Sequence, residues 1–305
     1  KECGADAVKF QKRCNKKLFT PDFYNSPYDN PNSFGDSYGI HRDAIELTIE
    51  NMAKLKRYAD KIGITFFCTP FDEQSLYELE SLDLDFYKVA SADLVHIPFL
   101  KLISKTKKNL IISTGHASYE DIDRALENIQ HNNEVAILHC TAAYPAPIES
   151  LNLNCIDHLK NRYPNNIIGI SDHENGIDAA LIAYMKGARV FEKHFTLNRS
   201  NKGTDNAFSL EPTGLKKLVR NLRRIPKMLG SNNKSPLEIE KGPISKMRKS
   251  IVYKESIEKG SVLSLSSFEY RCPALGLAPL NVDNFNGKIL KRDVKEFDFA
   301  SFDDI

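Results

Sequence analysis

Seven short apolar runs recur along the chain with segments of helical character between them, and that alternation limits the possible folds more than any other feature. The runs lie at 5–11 (ADAVKFQ), 65–70 (TFFCTP), 86–91 (FYKVAS), 109–115 (NLIISTG), 135–140 (VAILHC), 167–170 (IIGI) and 189–191 (RVF). Apolar residues spaced three and four apart mark helices over 43–61, 72–82, 119–130, 177–186 and 212–229. Strands that alternate with helices and are apolar on both faces belong to parallel sheets built from βα units. Lys1-Glu2-Cys3-Gly4 reads as a helix end with a glycine stop, so an eighth unit is expected ahead of the first visible strand. The expected fold is therefore α/β, a (β/α)₈ TIM barrel of roughly 250 residues whose first strand is missing from this chain. An open doubly wound sheet is the alternative. It would carry a glycine-rich turn after its first strand, and KFQKRC has none.

Two stretches punctuate this pattern. Residues 19–39 (FTPDFYNSPYDNPNSFGDSYG) mix Pro, Asn, Ser and Gly with aromatics, which predicts a long ordered loop that acts as a lid. Residues 230–243 (GSNNKSPLEIEKGP) read as a linker. Beyond it, KSIVYK and SVLSLSSFEYR read as short strands of a small β-rich domain. The expected organisation is a barrel over 1–230, a linker over 231–245 and the small domain over 246–305.

Composition narrows the function. A net charge of +2, spread along the chain, gives no basic field for nucleic acid. No apolar run reaches the roughly 18 residues of a membrane span, and no signal peptide is apparent. The six cysteines form no CxxC pair, and Cys68 and Cys140 fall inside apolar strands, so reduced thiols and a cytoplasmic location are expected.

Polar residues gather where the strands end. Lys9 and Gln11 alternate along the first run, and Lys88 interrupts the third. Lysine is almost never fully buried without a partner, so these two point to an anionic ligand in the barrel mouth. The plainer reading pairs each lysine with a structural carboxylate such as Glu192. Thr69, Ser91, Ser113 and Ser171 end four strands with hydroxyls suited to phosphate oxygens, although each alone would serve as a cap or turn residue. Ser171 and His173 share one face of their strand, and Glu192 and His194 share one face of the next. Either histidine alone is as readily a core residue; together, beside a glutamate, they favour a metal pair with open positions over a closed structural zinc site. His139 is a donor behind that pair or simply buried. Asp205 orients a ligand hydroxyl or closes a turn.

As an ordered set, Lys9-Phe10-Gln11, Thr69-Pro70-Phe71, Tyr87 to Ser91, Ser113-Thr114-Gly115, His139-Cys140-Thr141 with Tyr144-Pro145, Ser171-Asp172-His173, Glu192 to Phe195 and Gly203-Thr204-Asp205 strongly resemble the sialic acid (N-acetylneuraminate) synthase family. The tail, with Lys259-Gly260, Gly276 to Pro279, Gly287-Lys288 and Asp304-Ile305, resembles that family's antifreeze-like (SAF) domain. The resemblance implies a transferase that condenses phosphoenolpyruvate with an N-acetylmannosamine-type sugar or its 6-phosphate. It implies that Lys9, Thr69, Lys88, Ser91, Ser113 and Ser171 hold phosphoenolpyruvate, and that Gln11, Asp93, Tyr144 and Asp205 face the sugar. His173 and His194 would hold a divalent metal, Mn²⁺ or Mg²⁺. Lys9, Lys88 and Glu192 would be the catalytic groups, with Glu192 positioning or transferring a proton. A homodimer with the tail of one chain docked on its partner's barrel is also implied. The 19–39 loop and the 171–177 segment look most like the branch that includes the 6-phosphate enzymes. Legionaminic or pseudaminic acid synthases are the runners-up, and a sugar-binding paralogue without chemistry is the reading from another class.

Overall fold

Period-two alternation divides each strand between a helix-covered face and an interior face, and the chain places its apolar residues accordingly. The computed structural model describes residues 1–130 and 133–305. They form two units, Lys1–Gly230 and Ser231–Ile305. In the first, seven strands make one parallel sheet in sequence order: β1 (Ala7–Lys12), β2 (Thr65–Pro70), β3 (Phe86–Val89), β4 (Asn109–Ser113), β5 (Val135–Cys140), β6 (Ile167–Asp172) and β7 (Val190–Lys193). Phe66, Cys68, Tyr87, Val89, Leu110, Ile112, Ile137, Ile168 and Ile170 lie in the core with Met52, Leu76, Leu79, Phe99, Ile103 and Ile122 of the helices. Lys9, Thr69, Lys88, Ser113, Ser171 and Glu192 occupy the other parity.

The sheet is strongly curled. Laid flat, β1 and β7 would stand six strand spacings, roughly 29 Å, apart. Yet Lys9 Nζ on β1 lies 3.7 Å from Glu192 Oε1 on β7. A parallel sheet whose first and last strands meet through side chains is a half-barrel, compatible with the TIM barrel that the alternation predicts. Among the described residues, no backbone pairing joins β7 to β1.

Local signals set the helices. Asp72 accepts the Ser75 N–H at 2.8 Å and starts Glu73–Glu80; Ser118 and Asp121 form a capping box at the start of Tyr119–Glu127. Gly63, at φ +67°, ends Ile49–Ile62. The single helix expected over 43–61 is instead two, Tyr38–Ala44 and Ile49–Ile62, because the Thr48 hydroxyl accepts the Asn51 N–H and starts a new helix there. Two helices absent from the sequence reading, Ile97–Ser104 and Cys155–Arg162, complete the βα units after β3 and β5.

The 19–39 loop is ordered, with a short helix Pro21–Tyr24 and a bridge between Pro27 and Ser37. Tyr38 packs edge-on against Phe19 and Tyr28, with ring centroids 5.2 and 5.3 Å apart. The segment expected to be a plain linker carries a helix, Lys241–Met247. In the second unit β8 (Ser250–Tyr253) pairs antiparallel with β9 (Phe268–Arg271) over a core of Ile251, Tyr253, Leu263, Phe268, Phe285 and Leu290. The strand expected over 261–271 is confined to its last four residues, since Leu265–Ser267 form a 3₁₀ turn. The six cysteines are free, and no helix among the described residues is long and apolar enough to cross a membrane.

Gly169 sits where β6 passes closest to its neighbours. A Cβ there would fall against the Val190 carbonyl oxygen and Leu138 Cδ2, well inside van der Waals contact. Gly169→Ala is expected to lower stability by about 1–3 kcal/mol through overpacking, read by denaturant unfolding; an unchanged midpoint would show that the sheet can spread.

Candidate active site

The interior parity of the strands carries the site. Residues 171 and 192 are register partners on β6 and β7, and 140 and 171 on β5 and β6. Glu192 is the centre. Its Oε2 lies 3.4 Å from Lys88 Nζ, its Oε1 lies 3.7 Å from Lys9 Nζ, and the Ser171 hydroxyl donates to Oε1 at 3.2 Å. Lys88 is 3% exposed, while the Glu192 side chain keeps 17% of its surface open to the mouth. Burial by itself pushes the Glu192 carboxyl up, but the charges of Lys88 and Lys9 and hydrogen bonds from Lys88 and Ser171 hold it at about 2. Burial lowers Lys88, and Glu192 opposes that shift. The plain reading of the lysines, as partners of Glu192, is thus what the structure contains. One carboxylate shared by two ammonium groups still leaves net positive charge at the floor of the mouth.

Hydroxyls ring this floor. Thr69 Oγ1 and Ser113 Oγ are buried without a hydrogen-bond partner among the described residues. Such groups are costly unless something polar reaches them. Ser91 Oγ accepts the Gly115 N–H at 2.9 Å and lies 3.6 Å from Cys140 Sγ.

A second cluster stands above. The rings of His173 and His194 are 5.3 Å apart and nearly perpendicular, and Tyr144 lies 4.2 Å from the first and 6.0 Å from the second. His173 Nδ1 is 2.9 Å from the Thr141 carbonyl oxygen. A carbonyl only accepts, so Nδ1 carries the proton and Nε2 keeps its lone pair. His194 Nδ1 faces Asp205 Oδ2 at 3.5 Å, which favours the same tautomer. Burial lowers both imidazoles, His194 to about 4, so both are neutral at pH 7, as metal ligation requires. Among the described residues no group of three or more His, Cys, Asp and Glu side chains converges as a metal site. The donors present fit an ion that keeps most of its positions for ligand or water.

The remaining candidates separate. Gln11 lies beside Thr69 in register and accepts from Arg13 Nη2 at 2.6 Å. Asp93 follows β3, half-buried, with its carboxyl raised to about 6 by burial. His139 has the opposite parity and leaves the site: its Nε2 donates to the Leu151 carbonyl at 2.6 Å, on the side of a cavity of about 480 Å³ lined by Thr114, Tyr119 and Asn152. The sequence reading missed Phe208, whose ring is 5.0 Å from that of His194. It also missed the Asp172–Lys193 ion pair at 2.9 Å, which lies on the outer parity behind Ser171 and Glu192. Continuing the alternation of β1 past Gln11 would have found Arg13.

Charged groups held at the carboxyl ends of a curled parallel sheet define an enzyme of the TIM-like α/β class. Residues 1–234 match the NeuB family. The chain is 35% identical to the N,N'-diacetyllegionaminic acid synthase of Campylobacter jejuni, covering 97% of this chain and 90% of that one. It is 34% identical to human N-acetylneuraminate-9-phosphate synthase, covering 98% and 84%. The crystal structure of the Leptospira borgpetersenii N-acetylneuraminic acid synthetase, in complex with citrate, superposes with a TM-score of 0.67 at 31% identity, over 80% of this chain and 81% of that one. The chain therefore belongs to the NeuB family, the enzymes that synthesise sialic acid and related sugar acids.

The shared carboxylate makes two predictions. Lys88→Met leaves Glu192 buried with a single cationic partner and is expected to cost about 3 kcal/mol or more, while adding Glu192→Gln recovers much of it. Urea unfolding of both variants reads this; equal loss in the double variant would refute it. Because the folded carboxyl lies below its ordinary value of 4.5, its contribution is present above pH 4.5 and is lost as pH falls toward about 2. Glu192→Gln should therefore flatten the stability–pH curve over that window.

Proposed function

We propose that the protein is a sialic-acid-type synthase that joins phosphoenolpyruvate to an open-chain N-acetylmannosamine-type sugar, free or 6-phosphorylated, and releases phosphate. The observation that carries this reading is the Lys9–Glu192–Lys88 triad beside the two unpartnered hydroxyls of Thr69 and Ser113, a floor with spare positive charge and spare donors. Phosphoenolpyruvate is a small trianion at full ionisation, and Lys9 and Lys88 would offset its charge while Thr69, Ser91, Ser113 and Ser171 take its oxygens. His173 and His194, neutral and with Nε2 free, would hold the divalent metal, Mn²⁺ or Mg²⁺, and the ion would polarise the acceptor aldehyde as a Lewis acid. Gln11, Asp93, Tyr144 and Asp205 would face the sugar.

The bonds made and broken are these. The methylene carbon of the enol ester attacks the aldehyde carbon, and the aldehyde oxygen takes a proton. The former enol carbon, left as an oxocarbenium centre, is captured by water, and its carbon–oxygen bond to phosphate then breaks. The product is a nine-carbon 2-keto sugar acid. Glu192 changes role as the donor binds. With both lysines turned to it, the carboxylate is held at about 2 and is a poor base. Once the donor's charge draws the lysines away, burial dominates, the carboxyl rises, and Glu192 becomes able to take a proton from the attacking water.

Acceptors carrying one or two acylamino groups merit equal trial, because legionaminic and sialic acid synthases are equally similar to this chain. The assay is phosphate release from phosphoenolpyruvate with each acceptor, with and without Mn²⁺, by the purified protein. Metal-dependent release with one acceptor is expected. His194→Ala should lower it beyond the roughly 10–100-fold that loss of an outer partner of a metal site costs; undiminished turnover in that variant would sink the assignment.

A further inference from the structure

Two arginines stand at the rim, and beyond the hydrogen bond that Arg13 gives Gln11 nothing described above uses them. Lys9, Gln11 and Arg13 share one parity of β1 and its extension, so each stands about 7 Å above the last. Lys9 lies at the level of Glu192, Gln11 beside Thr69, and Arg13 at the rim, its guanidinium 3.8 Å over the Phe71 ring. Arg42 comes from Tyr38–Ala44, a helix tied to the same strand end. Asn15 Nδ2 donates to Asp43 Oδ1 at 2.7 Å, and the Arg13 N–H donates to Glu46 Oε1 at 2.9 Å.

Among the described residues neither guanidinium has an ion-pair partner. Glu46 turns to Lys12 Nζ at 3.6 Å, and Glu78 to the same ammonium at 3.3 Å. Arg42 Nε is buried without a hydrogen-bond partner. Burial first, and the Arg42 charge second, pull Arg13 down to about 10 against the opposing charge of Glu46, so Arg13 remains charged at pH 7. Glu46 offsets Arg13 in part, but a second cation beside it with a buried, unpartnered donor leaves positive charge at the rim unmatched, which suits an anion.

We infer that Arg13 and Arg42 form an anion subsite at the rim, and that it takes the phosphomonoester of a phosphorylated sugar acceptor whose aldehyde end lies against His173 and His194. This rests on the synthase reading above. Guanidinium forks match phosphate oxygens bidentately, and a phosphate dianion balances two of them. The donor's phosphate has its own cations, Lys9 and Lys88, one layer or more below.

Equilibrium titrations with N-acetylmannosamine 6-phosphate, N-acetylmannosamine and phosphoenolpyruvate, on the unaltered protein, Arg42→Gln and Arg42→Lys, test this. Arg42→Gln should weaken binding of the sugar phosphate at least about tenfold, and Arg42→Lys should recover most of it. In turnover the loss should appear in KM for the phosphorylated acceptor. Equal affinity of the unaltered protein for both sugars, or a sugar-phosphate affinity that Arg42→Gln does not move, would overturn the subsite. So would loss of phosphoenolpyruvate binding in its place, which would assign the pair to the donor. Arg42-dependent binding of the sugar phosphate without phosphate release from any acceptor would leave the subsite standing and sink the synthase reading.

Discussion

The structure turns on a single carboxylate held between two ammonium groups that come from different strands. Glu192 on β7 meets Lys9 on β1 and Lys88 on β3. For three such strands to bring side chains to one point, the sheet has to curl. The triad and the curvature therefore require each other. Buried charge of this kind is seldom a net gain in stability, because taking the groups out of water costs about as much as their attraction returns. Its value lies in what an incoming anion finds: lysines already oriented, already desolvated and paired with a group that can give them up.

The mouth is drawn together at two heights. At the floor the first and last strands meet through Lys9 and Glu192. Above it, the loops that follow the same two strands meet again, where the Gly203 N–H donates to Asn32 Oδ1 at 3.3 Å and Lys202 lies 4.9 Å over the Phe34 ring. The loop after β1 is thus held by its own aromatic cluster and by the loop that carries Asp205, the residue facing His194. A shift of the loop after β1 would be felt at the histidine pair through that short chain of contacts.

The strands were readable from residues alone because burial on both faces leaves near-continuous apolar runs, and a lysine or glutamate inside such a run stands out. Lys9, Lys88 and Glu192 were found that way, and the two histidines by parity. The helix Ile97–Ser104 escaped because it is apolar almost all round, which hides a 3.6-residue period. Ile49–Ile62 was fused to the helix before it because Thr48, between Leu47 and Ile49, looks like part of the same apolar stripe. Arg13 follows from continuing the alternation of β1, but Arg42 was passed over for a different reason: nothing in the sequence ties the helix Tyr38–Ala44 to that strand end. Only the three-dimensional tie between residues 13–15 and 43–46 puts them together.

Adjacent residues of β6 and β7 carry two ionic arrangements that face opposite ways. Ser171 and Glu192 look inward, and Asp172 and Lys193 look outward. Suppose β7 were to slip by one residue. Lys193 would then enter the interior beside Lys9 and Lys88, and Glu192 would be thrust out against Asp172. Three ammonium groups would crowd inside and two carboxylates outside, on top of the inverted apolar pattern. The alternation of charge along Glu192-Lys193 thereby acts as a proofreading code for strand pairing, and the outer ion pair, remote from any chemistry, keeps the inner one in place by making every neighbouring register electrostatically wrong.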